Sequence, residues 1–109
     1  MPRRVTRSAG FLERARVLFP PGGTPEGRPS FELFVAGPLR AVELAFSLDW
    51  EAQLEAIEGV GIRFVMTHGV PIFPAMTFYA LLGTDDSVEL LDVTVDEDYF
   101  EMLEGDPDD

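Results

Sequence analysis

Apolar residues recur every three or four positions in the first part of the chain, which is the spacing of an amphipathic helix. After a short opening strand at 5–7, Ser8 can cap a helix that must end before Pro20–Pro21. The apolar positions of this helix are Phe11, Leu12, Ala15, Leu18 and Phe19. Residues 20–30 hold four Pro and three Gly, so this segment is predicted to be an exposed loop within the domain.

Residues 30–58 resume the helical spacing, and Ser30 offers a second N-cap. Pro38 interrupts the pattern and suits the first position of a helix. Asp49 can cap a further turn, which ends at Gly59. The apolar residues of that turn are Trp50, Leu54 and Ile57. The pattern predicts a mostly helical region and leaves open whether it is one broken helix or two.

After Gly61 the apolar period changes to two, which is typical of strands with one buried face. Strands are predicted at 62–67, 76–82 and 88–95, and their short connections favour an antiparallel meander. Leu90 and Leu91 break the alternation of the last strand, which indicates either a β-bulge or a strand that is covered on both faces. Phe64, Phe78 and Leu90 are expected in the core.

These elements predict an α+β fold, with two N-terminal helices packed on a three- to four-stranded antiparallel sheet. Residues 1–103 are expected to form one domain of two layers. A last short turn is predicted after Asp96, and 104–109 is expected to be a disordered acidic tail.

The charge is strongly negative and unevenly distributed. Residues 1–40 hold seven Arg and three Glu, whereas 41–109 hold one Arg, Arg63, and seventeen acids. The net charge of −12 disfavours nucleic acid as a partner and favours a basic one. No apolar run approaches a membrane span of about 18 residues, and no apolar signal region follows the first Arg residues. We therefore expect a cytoplasmic protein without membrane contact.

Most types of catalytic or metal site lack the residues that they need. The chain has no Cys and a single histidine, His68, and no Ser lies in a nucleophile-elbow pattern. Gly22–Gly23 lacks the Lys of a phosphate-binding loop. Four acids near the end of the chain could offer oxygen ligands, but their spacing is not that of an EF-hand. These acids are Asp92, Asp96, Asp98 and Glu101. No cofactor and no metal site is predicted.

Arg63 is the residue singled out by the charge pattern, because it is the only cation of the last 69 residues. It alternates with Ile62, Phe64 and Met66, which predicts that it lies on the opposite face of its strand. It would either pair with a neighbouring carboxylate or contact a phosphate through its fork of donors. Tyr79 on the next strand is read as a packed amphipathic residue or as part of the same site.

The order of these elements resembles that of the RelE/ParE toxin superfamily. The matching segments are 4–8, 11–12, Gly61–Phe64, Phe78–Leu81 and Ser87–Val93, so the chain is similar to a divergent, acidic member. The resemblance implies a type II toxin–antitoxin protein of bacteria. It also implies that Arg63 stabilises phosphate charge during mRNA cleavage and that Tyr79 or Tyr99 assists proton transfer or stacks on a base.

Charge modifies this expectation, because Lys and Arg supply most of the affinity of proteins for nucleic acids. Asp96, Glu97 and Asp98 stand where a basic tail would serve an RNA groove, and they are predicted to bind a protein partner. We therefore expect a RelE/ParE-like protein that acts mainly by contact with an antitoxin or another basic protein. It would be an endoribonuclease, with RNA as a further partner, only if it is active as a toxin. The alternative is a non-catalytic acidic protein that occupies a basic, nucleic-acid-binding surface of its partner.

Overall fold

The computed structural model describes residues 2–69 and 72–96, which form an α+β architecture of helices on one face of a five-stranded sheet. The elements in chain order are β1 (Val5–Arg7), α1 (Ala9–Leu18), α2 (Phe31–Phe34), a π-helical turn (Val35–Leu39), α3 (Arg40–Leu48), a 3₁₀ turn (Trp50–Ala52), β2 (Leu54–Ile57), β3 (Ile62–Thr67), β4 (Met76–Leu82) and β5 (Val88–Val95). Within these residues, no helix is both long and apolar enough to cross a membrane. The predicted turn after Asp96 and the predicted tail at 104–109 lie outside the described residues.

Both predicted N-caps are confirmed. The Ser8 hydroxyl accepts a hydrogen bond of 3.0 Å from the Phe11 amide, and the Ser30 hydroxyl accepts one of 3.1 Å from the Leu33 amide. Each bond satisfies a backbone donor that the first helical turn leaves without a partner. These two serines therefore define where the two helical regions begin.

The second helical region is one continuous run from Phe31 to Leu48, in which α2 passes through the π-helical turn into α3. Pro38 lies inside that turn and not at the first position of a helix. Proline has no amide hydrogen to donate, and a π-type turn shifts the local hydrogen-bond pattern around it. The run therefore continues past a residue that normally ends a helix.

The predicted helical turn at 49–58 is right only for its first residues, because Trp50–Ala52 forms a 3₁₀ turn directly after Asp49. After the 3₁₀ turn, Leu54–Ile57 forms the edge strand β2, which pairs antiparallel with β3. Gly59 and Gly61 both have positive φ angles, which glycine adopts at no steric cost, and the chain reverses there into β3. The i, i+3 spacing of Leu54 and Ile57 fits a helix, but pairing with β3 decides the structure.

The sheet has the order β1-β5-β4-β3-β2. Strands β3, β4 and β5 form the antiparallel meander expected from the sequence, with the predicted boundaries. The expectation of a wholly antiparallel sheet of three or four strands is wrong, because β1 pairs parallel with β5 and β2 adds a fifth strand. The helices and strands β2 to β4 lie between β1 and β5 in the chain. Because no tight hairpin joins β1 to β5, the two strands can pair in the parallel sense.

The bulge in β5 is confirmed, because Tyr79 lies opposite Asp92 and Ala80 opposite Leu90, which leaves Leu91 as the extra residue. The face assignment of β3 is wrong. Val65 pairs with the buried Phe78, whereas Phe64 pairs with Tyr79 on the side away from the helices. Both faces of β3 carry apolar residues, so alternation alone could not select the buried one.

The core lies between the helices and the inner face of the sheet and is rich in phenylalanine. Phe34 of α2 stacks on Phe19 at 5.0 Å and on Phe78 of β4 at 5.9 Å between ring centroids. The fully buried side chains include Phe11, Phe46, Leu39, Val42, Val88, Leu90 and Val93. The described chain has no buried polar or charged residue. The inner face of the sheet is thus covered by the helices, and the surfaces left for binding are the outer face and the edges of the sheet.

Candidate functional site

Arg63 lies on the inner face of the sheet, at the margin of the core, and contacts backbone. One terminal nitrogen of its guanidinium donates to the carbonyl oxygens of Trp50, Glu51 and Gln53 at 3.2, 2.9 and 3.0 Å. Its central carbon lies 5.5 Å from the centroid of the Trp50 ring. The cation therefore caps the carbonyl end of the 3₁₀ turn, where positive charge is favourable, and holds that turn on β3.

This position answers the question that the sequence raised about Arg63. Its hydrogen-bond partners are the carbonyls of three residues that lie 10 to 13 positions earlier in the chain, and no carboxylate ion pair is shown for it in the described chain. Within residues 2–69 and 72–96, the expected ion pair with a carboxylate is therefore not observed. The prediction that it lies opposite Ile62, Phe64 and Met66 is right, but the face that it occupies is the one toward the helices.

Tyr79 lies on the outer face of the sheet, where its ring is 6.2 Å from that of Phe64. Arg63 is paired with the buried Ala80, the neighbour of Tyr79 in β4. Adjacent residues of a strand point to opposite faces, so the structure does not bring Arg63 and Tyr79 together in one site. Tyr99 lies outside the described residues.

The predicted partner-binding acids fall at the limit of what is described. Asp96 is exposed and follows β5, and its amide donates to the Ala75 carbonyl at 2.9 Å. Glu97 and Asp98 lie outside the described residues, as does Glu101. Asp92 is on β5, where its carboxylate accepts a hydrogen bond from the Val93 amide at 2.8 Å. Between residues 2 and 96, leaving out 70 and 71, no three His or acidic residues gather as metal ligands.

The outer face of the sheet is the surface that the sequence reasoning missed. The strand registers arrange it in three rows across the sheet. The rows from β2 or β3 to β5 are Ile57–Ile62–Leu81–Glu89, Leu54–Phe64–Tyr79–Asp92 and Met66–Thr77–Thr94. The first two rows are apolar from β2 to β4 and acidic at β5, whereas the third is apolar only at β3.

We call the apolar half of this face the outer patch, formed by Leu54, Ile57, Ile62, Phe64, Met66, Tyr79 and Leu81. Leu54, Ile57 and Met66 are 63%, 58% and 64% exposed. An antiparallel sheet can leave one face to water, but that face then usually carries polar side chains. Large exposed apolar surfaces are typical of interaction sites, which makes the outer patch a candidate for one.

Acidic side chains border the outer patch. Glu89 and Asp92 lie beside it on β5, and Glu58 follows β2 at the free edge of the sheet. The only basic residue of the described strands β2 to β5 is Arg63, which is bonded to carbonyls on the inner face. The outer face of these four strands therefore combines apolar surface with negative charge.

Two of the N-terminal arginines, Arg3 and Arg7, form ion pairs with acids from later in the chain. The Arg3 guanidinium contacts Glu51 at 2.8 Å and Asp86 at 3.3 Å, and Arg7 contacts Glu43 at 2.7 Å. The hydrogen bond from Arg3 holds the pKa of the Glu51 carboxyl below its ordinary value. These pairs use part of the positive charge of the first 40 residues inside the fold.

Compared with known proteins, the chain matches no family model, no curated protein and no solved structure. The RelE/ParE resemblance therefore stays a prediction of the sequence.

Proposed function

We propose that this protein is a non-catalytic binding protein whose partner presents a basic protein surface. The observation that carries the proposal is the charge of the outer face: apolar at β2 and β3, acidic at β5, and without a basic side chain on the described strands β2 to β5. Such a face attracts a cationic surface and excludes an anionic one.

The geometry of the predicted catalytic residues supports the same proposal. The Arg63 guanidinium is held at the margin of the inner face, where one terminal nitrogen donates to three carbonyls and the central carbon lies over the Trp50 ring. Tyr79 is on the other side of the sheet and would act without that cation. Stabilisation of a phosphorane-like charge needs donors already aimed at it, and these two side chains are aimed at opposite faces.

As the biological context of this binding, the proposal includes a bacterial toxin–antitoxin system. In that setting the basic partner is the antitoxin, and the resemblance of segments 61–64, 78–81 and 87–93 to RelE/ParE proteins is what supports it. A basic protein outside such a system satisfies the same chemistry.

The test compares RNA with protein as the ligand. We expect the purified protein neither to bind nor to cleave single-stranded RNA at physiological salt, and we expect its expression in a bacterium not to arrest growth. RNA cleavage that is lost in Tyr79→Phe, with an unchanged Tm, would contradict the proposal. That variant leaves the Arg63 contacts intact, so loss of folding is not confused with loss of chemistry.

The binding arm uses neutralisation of two acids that border the outer patch, Glu58 in the turn after β2 and Glu89 on β5. Retention of cationic proteins by the immobilised chain should weaken in Glu58→Gln/Glu89→Gln, and the effect should shrink in high salt. Glu26→Gln/Asp49→Asn is the matched control, because it removes the same charge at two exposed acids that lie in the 20–30 loop and at the end of α3 and not on the sheet. Equal retention by both variants would show that general acidity, and not this face, attracts the partner.

A further inference from the structure

The outer patch has the dimensions of one helix. Strand spacing places β2 and β4 about 10 Å apart, and the three rows extend about 14 Å along the strands. An α-helix is about 10 Å wide and covers 14 Å in about nine or ten residues. The patch can therefore cover the apolar stripe of a helix of about three turns.

The edge strand favours a helix over an added strand. β2 has only four residues, and its pairing with β3 shifts register between Glu55 and Ile57. A bulge and a short length both hinder the addition of a further strand to a sheet edge. A partner segment would therefore contact the face of the sheet through side chains and would not extend the hydrogen-bonded ladder.

The acids that border the outer patch favour a positively charged binding partner. Two copies of this chain would bring Glu58, Glu89 and Asp92 close to their equivalents across a shared interface, and like charges in an interface are costly. The C-terminal residues 97–109 of the chain contain seven acids and no base, so they repel the same border. Lys or Arg side chains on a partner would instead pair with these acids.

We infer that the outer patch binds an amphipathic helix of the partner, whose apolar stripe covers Leu54, Phe64 and Met66 and whose flanking Lys or Arg residues face the bordering acids. This inference rests on the proposed function and adds the mode of binding. The partner helix buries apolar surface on β2 and β3 and gains ion pairs along β5.

The experiment uses two synthetic Leu/Lys peptides of about 14 residues, the length of a helix somewhat longer than the patch. They have the same composition, but leucine recurs at helical spacing in one and alternates with lysine in the other. Fluorescence anisotropy at about 0.15 M salt, where the Debye length is about 8 Å, measures binding to the full chain. We expect the helical peptide to bind about tenfold more tightly than the alternating one.

The apolar contact is tested with Leu54→Gln/Met66→Gln. Both side chains are exposed, so the fold should persist, and we expect binding of the helical peptide to weaken about tenfold from the lost apolar area. Leu33→Gln/Leu48→Gln is the matched control, since these two leucines are 54% and 60% exposed and lie on α2 and α3 and not on the sheet. It should bind like the unsubstituted chain.

The other outcomes separate this inference from the proposed function. If Glu58→Gln/Glu89→Gln weakens binding and Leu54→Gln/Met66→Gln does not, the inference is wrong and the proposed function stands. Equal or tighter binding of the alternating peptide would overturn the helical mode alone. Dimerisation of the chain that Met66→Gln abolishes would make a second copy the occupant, and failure to bind either peptide would overturn both proposals.

Discussion

The inner and outer faces of the sheet are built from the same strands, yet only the inner face is complete within the described chain. Along β4, Met76, Phe78 and Ala80 are buried against the helices, whereas Thr77 and Tyr79 are half-exposed. The inner residues gain their burial from α1 and from the helical run at 31–48. Among the outer residues, Leu54, Ile57 and Met66 each remain more than half exposed.

The two faces also differ in the environment of their polar groups. On the inner face the guanidinium of Arg63 has three carbonyl partners, and no buried polar side-chain atom of the described chain lacks a hydrogen bond. On the outer face, apolar side chains are exposed to solvent next to carboxylates. The inner face therefore explains stability, and the outer face is the one that a partner would complete.

The largest difference between the faces is expected from truncation of their aromatic rings. Phe78→Ala should lower the free energy of unfolding by about 3–5 kcal/mol, because it leaves a cavity beneath Phe34 and Phe11. Phe64→Ala should cost about 1 kcal/mol, since its half-buried ring loses contact mainly with Tyr79. Urea titration of both variants measures the two losses. Equal losses would show that the outer face contributes as much to folding as the core.

How far the sequence could predict this fold is clear from particular residues. Ser8, Ser30 and the strands of the meander were predictable, because capping and the period of two are local signals. The strand at 54–57 was not, since its backbone conformation depends on pairing with β3 and on the bonds between Arg63 and the preceding carbonyls. The parallel contact of β1 with β5 joins residues more than 80 positions apart.

The site was predicted in part. The charge pattern correctly singled out Arg63 as an unusual residue. Its structural role is to bind three backbone carbonyls, and the arrangement of those carbonyls in space cannot be read from the sequence. The outer patch did have a signal: Ile62, Phe64 and Met66 alternate with Val65 between them. Apolar residues on both faces of a strand indicate that each face packs against another surface, and alternation alone does not show which surface that is.

Removal of the Arg63 charge is the next largest expected effect. Arg63→Ala should cost about 1.5–3 kcal/mol of stability, the value of hydrogen bonds from a charged donor, and it should change the fluorescence of Trp50. Arg63→Lys should recover part of this loss, because an ammonium can reach fewer of the three carbonyls. A variant as stable as the unsubstituted chain would mean that water replaces the guanidinium without cost.

Neighbouring residues of β3 give a finer test of the two faces. Met66→Thr should change stability by less than about 0.5 kcal/mol, because Met66 is exposed and threonine suits a strand. Val65→Thr should cost about 1–3 kcal/mol, since it places a hydroxyl against the core. Thermal unfolding of the two single variants makes the comparison. A larger loss for Met66→Thr would place the covered face of β3 on the other side.

The smallest expected effect concerns the ion pair that joins the first residues to the 3₁₀ turn. The hydrogen bond from Arg3 lowers the pKa of Glu51 in the folded chain, so the unfolded chain binds the proton more readily. The resulting stability is present at neutral pH and is lost as the pH falls below about 4.3, the ordinary value for glutamate. Glu51→Gln should therefore lower the Tm near neutral pH, with a difference that disappears in acid. Glu58→Gln is the control, because the described chain shows no ion pair for Glu58; a similar pH dependence in that variant would assign the effect to overall charge and not to the Arg3–Glu51 contact.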